Sequence, residues 1–264
     1  MIPLDYHMHS RFSEDGDDTP ESMCQRAIVL GIAEIGFTEH WDVGPYEKNP
    51  RYFKPEPWYV EMERLRKLFN GQLVIRAGIE IAEPHLYPYE TKEVLQRAPF
   101  DYVIGSVHYV GPNFMFNPEY FRTHTADEVY GSYFAELDQM VRTADIDIVA
   151  HFDIPARTGI PVLGYDPVRY EPMIRSALKT CIERGLALDV NVSGLRKPSR
   201  NIMPDPLILA WYVEMGGQRL TLGSDAHRLL EVSLHLEKAI EAIQAAGINH
   251  ITKFERRHAC LVTF

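Results

Sequence analysis

Seven short β-rich runs alternate with longer helical patterns along this chain, and that rhythm constrains the fold more than any other feature. The runs are residues 2–8, "AEIGFTEH" (33–40), "LVIRAGIEI" (73–81), "DYVIGSVH" (101–108), "DIDIVAHF" (145–152), "GLALDVNVS" (185–193) and "RLTLGSDAH" (219–227). Helical patterns fall near 20–30, 57–70, 88–97, 125–144, 166–184, 205–216 and 232–246. Thr19 followed by Pro20 reads as an N-cap with proline in the first turn, and Asp166-Pro167 and Asp205-Pro206 repeat that signature. Strands that alternate with helices pair in parallel through crossover helices. At 264 residues the natural closed form is a single α/β barrel. No low-complexity stretch or linker interrupts the pattern, so residues 1–264 read as one domain. The proline-rich segment 45–57 reads as a long loop over one face, and residues beyond 246 carry no assignment.

Polar residues gather where these strands end. "LDYHMHS" (4–10) places His7 and His9 two residues apart, so on a strand both imidazoles share a face. Later runs end in His40, Glu80, His108, His151, Asp225 and His227. In a parallel barrel all strand C-termini open onto one face, which is where active sites form. Six of the 11 histidines therefore converge with two carboxylates on one basin, and Asp15 in the first loop hangs over it. Satisfied core histidines would be scattered, as His124, His235, His250 and His258 are. His85 lies just past a strand and reads as a peripheral or substrate-facing group. The pattern points to a multinuclear metal site.

The motifs "DYHMHS", "FSEDG", "GFTEHWD", "GIEI", "GSVHY", "AHFD" and "GSDAH" occur in the order and strand-end context of the PHP (polymerase and histidinol phosphatase) superfamily. From residue 4 to about 246 the chain resembles that superfamily, and "NVSGLRK" resembles its stand-alone histidinol-phosphate phosphatases. The resemblance implies a distorted seven-stranded, TIM-like (β/α)7 barrel holding three divalent transition-metal ions. Carried over by position, His7, His9, Glu80 and Asp225 would bind the first ion. Glu80 would bridge to a second, held by His108 and His151, and Asp15, His40 and His227 would hold the third. The substrate that the resemblance implies is L-histidinol phosphate.

Imidazole and carboxylate donors suit zinc, iron or manganese. Paired ions activate a water for attack on phosphorus and neutralise charge on the phosphoryl oxygens. Glu80, Asp225 and His227 are the catalytic candidates, the last two as proton donors to the leaving alkoxide. Arg157 and Arg196 are expected to grip phosphate, because the guanidinium fork matches it bidentately; Lys197 and Arg200 are nearby substitutes. Ser106 and Ser193 are candidate donors to the phosphate or leaving group. Asp5 and Glu39 adjoin ligating histidines but face the other way, as supporting or core groups.

Charge and composition bound the partners. A formal net charge of -10 without a basic stripe disfavours nucleic acid, while leaving a small phosphorylated substrate open. Three widely spaced cysteines and the lack of an 18-residue apolar run suit a cytoplasmic chain that does not enter a membrane. Two other readings remain: a phosphatase for another small ester (nucleotide, sugar phosphate or phosphotyrosine), and an amidohydrolase-like C–N hydrolase. The second fits less well because no lysine ends a strand. A non-enzymatic metal-bound scaffold is disfavoured because all nine ligand positions are filled. Oligomeric state is not legible.

Overall fold

The computed structural model describes residues 2–264. Its first helix, α1 (Pro20–Val29), begins where the sequence places it: the Thr19 side chain accepts the Ser22 N–H at 3.2 Å. Then follow β1 (Glu34–Trp41), α2 (Pro55–Leu68), β2 (Val74–Ala82), α3 (Pro88–Leu95) and β3 (Tyr102–Ser106). A small hairpin, β4 (Tyr109–Val110) and β5 (Asn113–Phe114), leads into α4 (Pro118–Thr123) and α5 (Ser132–Thr143). The second half comprises β6 (Ile148–Val149), α6 (Pro155–Leu163), α7 (Glu171–Arg184), β7 (Ala187–Asn191), α8 (Pro206–Glu214), β8 (Leu220–Gly223) and α9 (Leu236–Ala245). A hairpin of β9 (His250–Glu255) and β10 (His258–Thr263) ends the chain.

Six strands form one parallel sheet in the order β1-β2-β3-β6-β7-β8. The expected seventh strand is present only as an irregular segment. Asp5 bridges Ile35 on one edge strand, and Met8 bridges Ala226 just past the other. Tyr6 N–H donates to Leu222 O at 2.8 Å and Gly36 N–H to Asp5 O at 2.8 Å. Residues 5–9 thus join the two edges of the sheet and complete a distorted α/β barrel.

Aromatic side chains fill its interior. Tyr102 stacks on Tyr6 with ring centroids 4.7 Å apart, and its hydroxyl donates to Tyr6 O at 2.7 Å. The ring lies across β1 and β2, so a Cβ at Gly36 or Gly78 would overlap it; a side chain at either place forces Tyr102 out.

Two sequence expectations are corrected, and the unassigned C-terminal segment gains a role. The run 145–152 yields only two strand residues, Ile148 and Val149. The segment "IPARTGIPVLGYD", between the helical patterns at 125–144 and 166–184, contains the nine-residue helix α6, with Pro161 inside it and Gly164 ending it at φ 70°. The C-terminal hairpin closes the end of the barrel opposite the histidines. Phe254 N–H donates to the Tyr6 hydroxyl at 3.3 Å, and Arg257 pairs with Asp145 and Asp147 at 2.8 and 2.7 Å.

Candidate metal centre

Parallel pairing aligns the strand ends, and the chain's unusual residues sit on those ends. His40, next to last in β1, sits directly opposite Glu80 in the β1–β2 register. His108 and His151 follow β3 and β6 by two residues each, and Asp225 and His227 follow β8. His151 and Asp225 adopt positive φ, 23° and 53°. Such backbone is costly for a residue with a Cβ and persists where surrounding contacts fix it, commonly at functional sites.

Glu80 is the hub. Its Oε2 lies 3.2 Å from His7 Nε2, 3.4 Å from His9 Nε2 and 3.0 Å from His40 Nδ1. Its Oε1 lies 3.2 Å from His151 Nε2 and 3.5 Å from His108 Nε2. Five imidazoles thus face one carboxylate that is 1% exposed. Asp225 Oδ1 stands 3.6 Å from both His9 Nε2 and His227 Nδ1. Asp15 reaches in from the first loop to within 3.0 Å of His227 Nε2 and 3.7 Å of His40 Nε2. All nine expected ligand positions therefore meet around one basin.

The electrostatics explain why such a cluster calls for cations. Burial alone would raise the Glu80 carboxyl, but His7 and His40 outweigh it and hold the group well below its ordinary range. Burial, reinforced by His40 and His227, drives His9 well below the ordinary imidazole range; a neutral ring is the form that ligates metal. His9 Nε2, His40 Nδ1 and Glu80 Oε1 are buried without a hydrogen-bond partner among the described residues. Orphaned buried polar atoms are costly unless something satisfies them. Donor atoms gather within 4.8 Å of one another in several groups, among them His7–His9–Asp225, His9–His40–His227 and His7–Glu80–His151. The donor set fits several divalent ions.

Supporting groups orient these donors. Asp189 Oδ2 sits 2.8 Å from His7 Nδ1, fixing that ring's direction, as carboxylates commonly do for ligating histidines. Gly223 makes room for this pair, since a Cβ there would overlap Asp189 and crowd His7. Glu39 accepts from Ser10 N–H, Ser10 Oγ and Ser13 Oγ at 3.0, 2.6 and 2.7 Å. Burial pushes its carboxyl up to about 7 despite those bonds. Asp5 accepts from Ser224 N–H at 2.9 Å and from Ser233 N–H at 3.1 Å, so both acids face away from the basin, as expected.

The substrate-binding expectations divide. A cavity of about 530 Å3 lies over the donors, and Arg157 on α6 lines it beside Tyr109, Phe114 and Phe116. Arg157 Nη1 donates to Ser193 Oγ at 3.2 Å, which places Ser193 beneath the guanidinium. Arg196 does not line this cavity. Its Nη1 and Nη2 donate to Ser224 O and Asp225 O at 2.8 and 2.9 Å, so the fork clamps the positive-φ turn that carries Asp225. Ser106 is buried with Oγ 3.4 Å from Ile81 O, inside the sheet. His85 pairs with Glu136 at 2.6 Å and lines a different cleft.

Two contributors escaped the sequence reading. Asp189 shares a strand face with Asn191, and the period-two alternation that flagged His7 and His9 also flags this pair. Asp42, two residues past His40, groups with His40 and His108 and lines the cavity. It follows His40 as His9 follows His7, which was the signal available for it.

Residues 5–193 match the PHP domain family. This chain belongs to the PHP domain family. Proteins named histidinol-phosphatases align along almost its whole length. A probable histidinol-phosphatase of Deinococcus radiodurans is 31% identical over 96% of this chain and 97% of its own. The histidinol-phosphatase of Lactococcus lactis is 28% identical, with 96% and 95% covered. The crystal structure of the Lactococcus lactis histidinol phosphate phosphatase, complexed with zinc, L-histidinol and phosphate, superposes with a TM-score of 0.86 over 98% of both chains at 26% identity. PHP membership agrees with the metal-ready donor set described above.

Proposed function

We propose that this PHP protein is a metal-dependent phosphomonoesterase that hydrolyses L-histidinol phosphate to L-histidinol and inorganic phosphate. The observation that carries the reading is the full-length likeness to the Lactococcus lactis enzyme whose complex holds zinc, L-histidinol and phosphate. The cluster around Glu80 supports it, because its residues are the ones that such chemistry needs.

In this reading His7, His9, Glu80 and Asp225 would hold one divalent ion, Glu80, His108 and His151 a second, and Asp15, His40 and His227 a third. Bound ions of this kind supply Lewis acidity and lower the pKa of a coordinated water. Arg157 orients the phosphoryl group, and Ser193 holds Arg157 in place. Asp225 and His227, 3.6 Å apart, line the cavity where a water held beside them would pass its proton to the leaving alkoxide. Arg196 acts through the Asp225 turn. Residues 1–264 work as one catalytic unit on a small substrate in the cytoplasm. Two features support that setting: no helix among the described residues is long and apolar enough to cross a membrane, and all three cysteines are free.

Phosphate release by the pure, metal-loaded protein from L-histidinol phosphate, a nucleotide and phosphotyrosine tests the reading. L-histidinol phosphate should give the highest kcat/KM, and a chelator should abolish turnover until zinc or manganese is restored. A preference for either other ester, or turnover that survives chelation, rejects it.

A further inference from the structure

A second cavity, of about 480 Å3, opens beside the metal centre. It shares Phe116 and Arg157 with the first cavity and adds Arg122, Lys197, Pro161 and Val162. The two spaces differ sharply in charge. Glu14, Asp42 and Glu47 line the first along with the donors Asp15, Glu80 and Asp225, against Lys48 and the shared Arg157. No carboxylate lines the second, which presents three cations in a chain of net charge -10.

Arg157 forms the partition. Its guanidinium stacks on the Phe116 ring at 4.1 Å and lies 3.5 Å from Asp225 Oδ2, so it faces both spaces. Among the described residues, the Lys197 ammonium makes neither a hydrogen bond nor an ion pair. Arg122 has one carboxylate partner, Glu119 at 3.4 Å, and both side chains are largely exposed. Exposed pairs of this sort contribute little. Lys197 thus lines the groove without a carboxylate partner, beside two arginines held by long ion pairs, and an anion there would relieve it. A phosphate dianion approaching through the first cavity's mouth would instead meet carboxylates.

We propose that this groove is an outer phosphate site, in which a phosphoryl dianion docks between Lys197, Arg122 and Arg157 on its way to and from the metal centre. The inference rests on the phosphatase reading, because only a substrate or product bearing phosphate gives the groove its traffic. Cation-lined clefts raise the local concentration of an anionic substrate, and the gain fades as salt rises.

The test uses the metal-loaded full chain and its Lys197→Gln/Arg122→Gln double variant, with inorganic phosphate as the probe. Calorimetry should find two phosphates per wild-type chain, the weaker of which disappears in the double variant while metal content stays unchanged. With L-histidinol phosphate at low ionic strength, kcat/KM of the double variant should fall about tenfold and lose most of its salt dependence, with kcat retained. Lys197→Glu should deepen the fall. A wild type that takes up a single phosphate, or a double variant that matches wild type in phosphate binding and salt response, overturns the outer site. Direct phosphate binding decides this even if wild type fails to hydrolyse L-histidinol phosphate, a failure that would count against the phosphatase reading alone.

Discussion

Glu80 offers the sharpest single-residue test. A neutral amide is a poor bridge between cations, so Glu80→Gln should lose bound metal as well as rate, read by elemental analysis of protein purified without chelator. Full occupancy and full rate in that variant would remove Glu80 from the centre. The two arginines should separate. Arg157→Ala should lower kcat/KM by about two to four decades with metal content intact, because charge-assisted bonds of roughly 1.5–3 kcal/mol each are lost at the phosphoryl group. Arg196→Ala should instead release the Asp225 turn and reduce metal occupancy along with activity. Equal metal content in both variants would contradict that division. Eight of the nine candidate donors were legible in the sequence because strand-end position brings them together, and Asp15 was legible from its place in the first loop. The division between Arg157 and Arg196 was not, since both follow strands and only side-chain partners tell a free fork from a clamped one. Asp189 was hidden for a related reason: its role depends on contact with His7, 182 residues away.

Elements were legible where local chemistry agreed with tertiary context. The cap at Thr19 was readable, and Thr19→Ala should cost about 1 kcal/mol, lowering Tm by roughly 2–4 °C with activity unchanged. No change in Tm would show that the cap bond contributes nothing. α6 was illegible because Ile154 offers no side-chain cap before Pro155, and Gly159 and Pro161 argue against a helix interior. Packing overrides them: a Cβ at Gly159 would overlap the Tyr130 hydroxyl, so the small residue permits a close approach that helix propensity alone would discourage. β6 was over-read because its apolar run continues into Phe152, which is buried but lies outside the ladder. The irregular residues 5–9 were read as a strand for the same reason: their alternation is correct, while their pairing is split between two neighbours.

Across the whole molecule, the end of the barrel opposite the metal centre is tied by charge. Glu34 is nearly buried, takes a hydrogen bond from the Tyr6 hydroxyl, and pairs with Arg76 at 2.7 Å and Lys253 of the terminal hairpin at 2.8 Å. Burial would raise its carboxyl, but the bonds from Lys253, Tyr6 and Arg76 outweigh it and hold the group below the usual 4.5. A depressed folded pKa means that this stabilisation is fully present above about 4.5 and is lost as pH falls through the lower folded value. Glu34→Gln should therefore lower Tm near neutral pH and flatten its acid limb, and an acid limb identical to wild type would rule the network out as its source. The joining of residues 5–9 to both edge strands has a consequence for synthesis. His7 and His9 are made long before the partners that seat them, at Leu222, Asp225 and Ala226. A nascent chain arrested before residue 220 holds two idle imidazoles and an open sheet edge, so loading of the centre must await synthesis of the segment around Leu222, Asp225 and Ala226.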